Sequence, residues 1–120
     1  MRILIVDDEP LVRRSLQRAA QMRGHEVRVA ENGVVGKKEW EAFDPEVVFV
    51  DVLMPEMDGP TLLAQKPKSS AAKIIVISAF TGEYDSEVAL KMGAHVFMAK
   101  PFEDILQVVM RAEELSHGRR

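Results

Sequence analysis

Five short apolar runs punctuate the 120 residues, and the stretches between them change period. RILIV (residues 2–6), VVFV (47–50) and KIIVI (73–77) are apolar almost throughout and rich in β-branched residues, the pattern of strands covered on both faces in a parallel sheet. EVRVA (Glu26 to Ala30) and HVFMA (His95 to Ala99) alternate more visibly, as edge strands with one partly solvated side do. Between the first two runs Val12, Leu16 and Ala19 recur at helical spacing opposite Arg13, Arg14, Gln17 and Arg18, with Gly24 as the stop. The same period predicts helices over Val34 to Phe43, with Trp40 and Phe43 inward, over Tyr84 to Met92 before Gly93, and from Phe102 to about Leu115. PTLLAQKPKSSAAK, after Gly59, supplies the remaining crossover. Pro67 cannot continue a helix and SSAA offers little apolar face, so that helix is short and ends near Lys66.

Strand and helix therefore alternate five times, which predicts an α/β fold: a doubly wound (βα)5 unit with a five-stranded parallel sheet, right-handed crossovers and helices on both faces. Ligands are expected beyond the carboxyl ends of the strands, at the switch point. Residues 1–120 are read as a single domain, because the length supports one core and neither an internal repeat nor a linker interrupts the pattern.

Charge and composition narrow the partners. A net charge of −3 with no basic stripe argues against direct nucleic-acid binding. The absence of cysteine excludes a disulfide framework and a thiolate metal site, and His25, His95 and His117 are too scattered for a cluster, reading instead as surface or strand-edge residues. No apolar stretch approaches the roughly 20 residues that span a bilayer, and Met1-Arg2 leads into the first strand without a signal-peptide pattern. A soluble, cytoplasmic protein without membrane contact is expected.

The chemistry gathers at the strand ends. ILIVDDEP closes a buried strand in Asp7, Asp8 and Glu9, and the third, fourth and fifth strands end in Asp51, Ser78 and Lys100. Two unit charges about 4 Å apart repel by roughly 4 kcal/mol at an effective dielectric near 20, so Asp7, Asp8 and Asp51, projected together, need a positive charge among them. Lys100 is one candidate. An all-oxygen donor set on a rigid sheet edge also suits a hard divalent cation, Mg²⁺ above all, which would prepare the site for a phosphoryl group.

IVDDEP, VDVLMPEMDG around Asp51, VISA containing Ser78 and AKPF containing Lys100 resemble, in order and spacing and over nearly the whole chain, the receiver domain of bacterial two-component response regulators. The resemblance implies a flavodoxin-like strand order 2-1-3-4-5, an arrangement that a chemotaxis receiver exemplifies. It implies a phosphoacceptor signalling domain, not an enzyme acting on other substrates, whose catalysis is confined to its own phosphorylation and dephosphorylation. Asp51 matches the phosphoacceptor, charged from a phosphohistidine on a histidine kinase or histidine phosphotransfer protein. Asp8 matches the direct Mg²⁺ ligand, Asp7 a ligand acting through water, and the backbone carbonyl of Leu53 the third protein ligand beside Asp51. Lys100 would pair with a phosphoryl oxygen, Ser78 would donate its hydroxyl to another, and Phe97 would swing inward behind Ser78, altering the face formed by the fourth helix, fifth strand and fifth helix. Leu53 and Phe80 match the positions that flank attacking water; both are bulky and apolar, so a long-lived phosphoryl group is expected. The family's usual cis bond is expected at Lys100-Pro101. Both a standalone relay and a receiver tethered to an output domain, each with its downstream effector, fit this pattern.

Each residue also has a plainer reading: Asp8 as N-cap of the first helix before Pro10, Asp51 as a solvated strand end, Ser78 as a hydroxyl satisfying backbone, Lys100 as a surface lysine and Phe97 as core. Their joint occurrence at neighbouring strand ends favours the site. Gly33 and Gly59 read as turn residues, and Gly36 and Lys37 as weak points of the second helix, an interior glycine costing about 1 kcal/mol. The arginines of the first helix read as a solvated face, although in the family that helix often helps dock the phosphodonor. Two other functions compete. A small Mg²⁺-dependent aspartate-nucleophile phosphatase usually carries Asp-x-Asp after its first strand and a cap over its substrate, whereas Asp7 and Asp8 are adjacent here. A flavodoxin-like cofactor binder should offer hydroxyls and glycines in its first loop, where DDEP offers carboxylates.

Overall fold

In a computed structural model of the chain, which describes residues 1–79 and 86–117 apart from the side chain of Ser86, strand and helix alternate five times. The strands are β1 (Arg2–Val6), β2 (Glu26–Ala30), β3 (Val47–Asp51), β4 (Lys73–Ser78) and β5 (Val96–Ala99). All neighbouring strands pair in parallel, in the order β2-β1-β3-β4-β5. The helices are α1 (Pro10–Met22), α2 (Gly33–Phe43), α3 (Gly59–Ala64), α4 (Ser86–Lys91) and α5 (Ile105–Ser116). Tyr84, where the fourth helix is expected to start, lies outside the described residues.

Alternation along the strands sorts the core into two layers. Ile3, Ile5, Val47, Phe49, Ile75 and Ile77 pack under α1 and α5, against Leu16, Ala20, Val109 and Ala112. Leu4, Val6, Val48, Val50, Ile74 and Val76 face the other way, with Trp40, Leu62 and Ala89. Every residue of β3 is buried, as its uninterrupted apolar run requires, and β2 at the edge alternates. Trp40 resolves the polar end of its ring by donating Nε1–H to Ser70 Oγ at 2.9 Å.

Several boundaries differ from expectation, each for a local reason. α3 ends at Ala64 rather than near Lys66, the Gln65 amide returning to the Thr61 and Leu62 carbonyls ahead of Pro67. α5 begins at Ile105 and not at Phe102: Asp104 caps it, accepting from the amides of Leu106 (3.1 Å) and Gln107 (3.4 Å), an arrangement that contributes about 1 kcal/mol. His95 stands just before β5, accepting the Ile74 amide on Nδ1 at 3.0 Å and so lengthening the ladder with a side chain. Gly36 is no mere weak point. It is buried where α2 crosses β1, and a Cβ there would lie 3.0 Å from Val6 Cγ1 and 3.3 Å from Leu62 Cδ2. Lys37 reaches Gln65 Oε1 at 3.4 Å, tying α2 to the end of α3.

Gly33 and Gly59 likewise serve close approach rather than a turn. A Cβ on Gly33 would fall 2.4 Å from the Met57 carbonyl oxygen, and its amide donates to that oxygen at 3.0 Å. A Cβ on Gly59 would fall 2.4 Å from the Asp51 carbonyl oxygen, while its amide donates to Val52 at 2.9 Å. The loop between β3 and α3 is thus clamped from both sides.

Candidate functional site

The carboxyl ends of β1, β3, β4 and β5 bring together residues far apart in the chain. By strand parity Asp7 continues the Ile3, Ile5 row and Asp51 the Val47, Phe49 row, so both lie toward the α1 and α5 layer. Ser78 continues the Ile74, Val76 row on the opposite side, where Phe97, paired with Val76, also packs half-buried. The Lys100 amide donates to the Ser78 carbonyl at 2.9 Å, which extends the β4–β5 ladder past Ala99 and holds the lysine at the sheet end.

Asp7 is fully buried, and its Oδ1 accepts the Glu9 amide at 2.8 Å, a local turn that bends the chain off β1. Pro10 then starts α1 with Glu9 as N-cap residue, making no side-chain cap bond. Asp8 is not the cap; it is exposed at the mouth of the site, with a carboxylate oxygen close to those of Asp7 and Asp51. Asp51 is 5% exposed, and its Oδ1 accepts the Val52 amide at 2.9 Å. Lys100 Nζ lies 3.0 Å from Asp7 Oδ2 and 3.5 Å from Asp51 Oδ1, and it also donates to Glu9 Oε1. The Lys100-Pro101 peptide bond is cis.

Burial and mutual repulsion govern the ionisation here. Burial, then the charge of Asp7, pushes Asp51 up to about 7; Lys100 opposes this and Asp8 adds to it. Asp7 is raised as well, chiefly by burial, against the Glu9 amide and Lys100. Burial pulls on Lys100 in the other direction, but its bonds to Glu9 and Asp7 and the charges of Asp51 and Asp7 outweigh it and leave the ammonium firmly protonated. Asp7, Asp8 and Asp51 each offer a carboxylate oxygen, all within 4.8 Å of one another. Three hard oxygen donors with negative charge in excess of the one ammonium fit a divalent cation.

The structure therefore gathers Asp7, Asp8, Asp51, Ser78 and Lys100 at one end of the sheet, with Phe97 behind Ser78's row. Ser78 is 1% exposed and stands one residue beyond Ile77, the partner of Asp51 across the β3–β4 ladder. Leu53 sits in the following loop, 58% exposed. Phe80 lies outside the described residues. Two contacts escaped the sequence reading. Glu9 was placed with Asp7 and Asp8 at the strand end, but its bond to Lys100 was not visible there. Arg13, read as part of a solvated face, donates Nη1–H to the Asp7 carbonyl at 2.7 Å.

A family model described as the response regulator receiver domain matches residues 3–110. The chain is similar to chemotaxis protein CheY of Listeria monocytogenes, 37% identical over 105 residues, 86% of this chain and 88% of that protein. It is 40% identical over 116 residues to protein-glutamate methylesterase/protein-glutamine glutaminase 3 of Rhodospirillum rubrum, covering 93% of this chain but only 31% of that protein. The chain thus spans about a third of that relative's length. Among solved structures it resembles the response regulator TrrA of Thermotoga maritima in complex with Mg²⁺ and BeF, with a TM-score of 0.81, 30% identity, and coverage of 95% of this chain and 97% of that one.

Proposed function

The chain belongs to the response regulator receiver family, and we propose that within it Asp51 is the phosphoacceptor, charged from a phosphohistidine on a histidine kinase or histidine phosphotransfer protein. The observation that carries this reading is Asp51 itself. It is a buried carboxylate at a strand end, flanked by Asp7, Asp8 and Lys100. Its Oδ1 is engaged by the Val52 amide and Lys100, which favours Oδ2 as the attacking oxygen. The new O–P bond forms as the P–N bond of the donor breaks, and the electron pair left on the imidazole nitrogen takes up a proton. Such a transfer asks mainly for alignment and for cancellation of charge on the phosphoryl oxygens.

Lys100 supplies one positive charge toward those oxygens, and the Ser78 hydroxyl is assigned a second contact. Asp7, Asp8, Asp51 and the backbone carbonyl of Leu53 are assigned to Mg²⁺, whose chemistry is charge neutralisation. Phe97, on the same sheet face as Ser78, is assigned to carry the change toward the surface of α4, β5 and α5, where an effector or tethered output domain would read it. Catalysis is read as confined to the domain's own charging and discharging; nothing supports the metabolite phosphatase, since the acids match a receiver over the whole site. Exposed Leu11 and Met22 beside Arg14 and Arg18 on α1 give a phosphodonor an apolar and basic face to meet. Among the described residues no helix is long and apolar enough to cross a membrane.

Incubation with a small acyl or amidophosphate donor and Mg²⁺ tests the reading. One acid-labile phosphoryl group is expected on wild type and none on Asp51→Asn. Peptide mapping of the label to Ser78 or Asp58 would overturn the assignment.

A further inference from the structure

Lys100 is held by three carboxylates, and they are not equivalent. Asp7 is fully buried, and its second oxygen is fixed by the Glu9 amide. Asp51 is buried and is the proposed acceptor. Glu9 is different: its side chain is 56% exposed, and it reaches Lys100 across the mouth of the site from the residue before α1. A glutamate is a poor N-cap, and with Pro10 at the first helical position its carboxylate makes no cap bond, so it is available to the lysine.

An ammonium has three N–H donors. Here two are donated to Asp7 and Glu9, while Asp51 lies 3.5 Å from Nζ without a hydrogen bond, so for Lys100 to move outward onto a phosphoryl oxygen on Asp51 one of those two bonds must lengthen or break. Releasing Asp7 would leave a fully buried carboxylate without its counter-charge, which is strongly unfavourable. Releasing Glu9 returns an exposed carboxylate to water, at little cost. We propose that Glu9 is a positioning residue that holds Lys100 toward β1 before phosphorylation and yields it to the phosphoryl group afterwards, so that it restrains charging of Asp51. The proposal rests on the phosphoacceptor reading, and its test separates the two.

Beryllofluoride with saturating Mg²⁺ serves as the probe, with affinity measured by ¹⁹F NMR on wild type, Glu9→Gln, Lys100→Gln and the double variant. Glu9→Gln should bind about 3- to 10-fold more tightly than wild type, and this gain should vanish in the Lys100→Gln background, because the effect passes through the lysine. In Mg²⁺-free protein, ¹⁵N relaxation of the Lys100 ammonium should show greater motion in Glu9→Gln, a change that a merely structural role for Glu9 would not bring. If Glu9→Gln binds no more tightly, if the gain survives in Lys100→Gln as a general charge effect, or if the ammonium is equally ordered, the Glu9 proposal fails while the phosphoacceptor reading stands. If wild type binds no beryllofluoride at all, both fail.

Discussion

Gly59 lies against the backbone of Asp51 so closely that a Cβ on the glycine would sit 2.4 Å from the aspartate's carbonyl oxygen. The contact is with backbone, which cannot swing aside. Gly59→Ala should therefore push the end of β3 away from the start of α3, costing about 1–3 kcal/mol in urea unfolding and slowing phosphoryl uptake. Unchanged stability and uptake would mean that the loop gives way without disturbing the acceptor.

Asp51 makes stability depend on pH. Its pKa stands near 7 in the folded protein against 3.8 for an ordinary aspartate, so between those values the folded state binds more protons than the unfolded one. In the Mg²⁺-free protein that contribution is fully present below about pH 4 and is lost as pH rises through 7. Asp51→Asn should accordingly stabilise the apo domain by about 1–3 kcal/mol at pH 8, with the gain shrinking toward pH 4. Parallel melting curves for the two proteins over this range check the slope.

His95 works in the opposite sense. Its Nδ1 accepts the Ile74 amide and so must be unprotonated, and burial, followed by Lys73 and Lys66, lowers its pKa below 6.5. A lowered histidine pKa means that the unfolded state binds more protons, so stability is full above about 6.5 and falls as pH drops below it. His95→Ala should lose about 1 kcal/mol at pH 8 and less at acid pH, read from urea midpoints.

For the metal, Asp7→Ala combined with Asp8→Ala removes two donors and much of the attraction for a cation. Mg²⁺ affinity, titrated by calorimetry, should fall roughly tenfold or more. Apo stability should hold or rise, since like charges are thinned at the sheet end. Wild-type affinity in this variant would place the cation elsewhere.

Leu53, exposed two residues beyond Asp51, cannot orient water by hydrogen bonding. Leu53→Asn should shorten the lifetime of the phosphorylated domain by up to about tenfold, equivalent to about 1.4 kcal/mol of barrier. Loss of label timed at constant Mg²⁺, alone and with Phe80→Glu, measures it; equal decay would remove Leu53 from the path of water.

The sheet was legible because its central strands are buried on both faces, which writes unbroken apolar runs, mostly Val and Ile, into residues 3–6, 47–50 and 74–77. The acids of the site were legible because they follow those runs directly. What escaped depends on partners distant in sequence. Nothing local distinguishes Gly36 as the place where α2 meets Val6, or Glu9 as a partner for Lys100, 91 residues away. The start of α5 was misplaced because Phe102 fits the apolar face, whereas the cap that decides the start, Asp104, is a matter of two amides.

The separation of Asp7 from Lys100, 93 residues along the chain, also has a bearing on fidelity. On the reading above, the acids of β1 and β3 can meet once the first half of the chain has folded, but their counter-charge arrives only when β5 has docked on β4. A molecule caught half-made, or one whose last strand and helix have peeled away, would present Asp51 without the ammonium proposed to meet the phosphoryl oxygens. The receiver would thus accept a signal only as an intact domain, and damaged copies in the cell would fall silent rather than relay falsely.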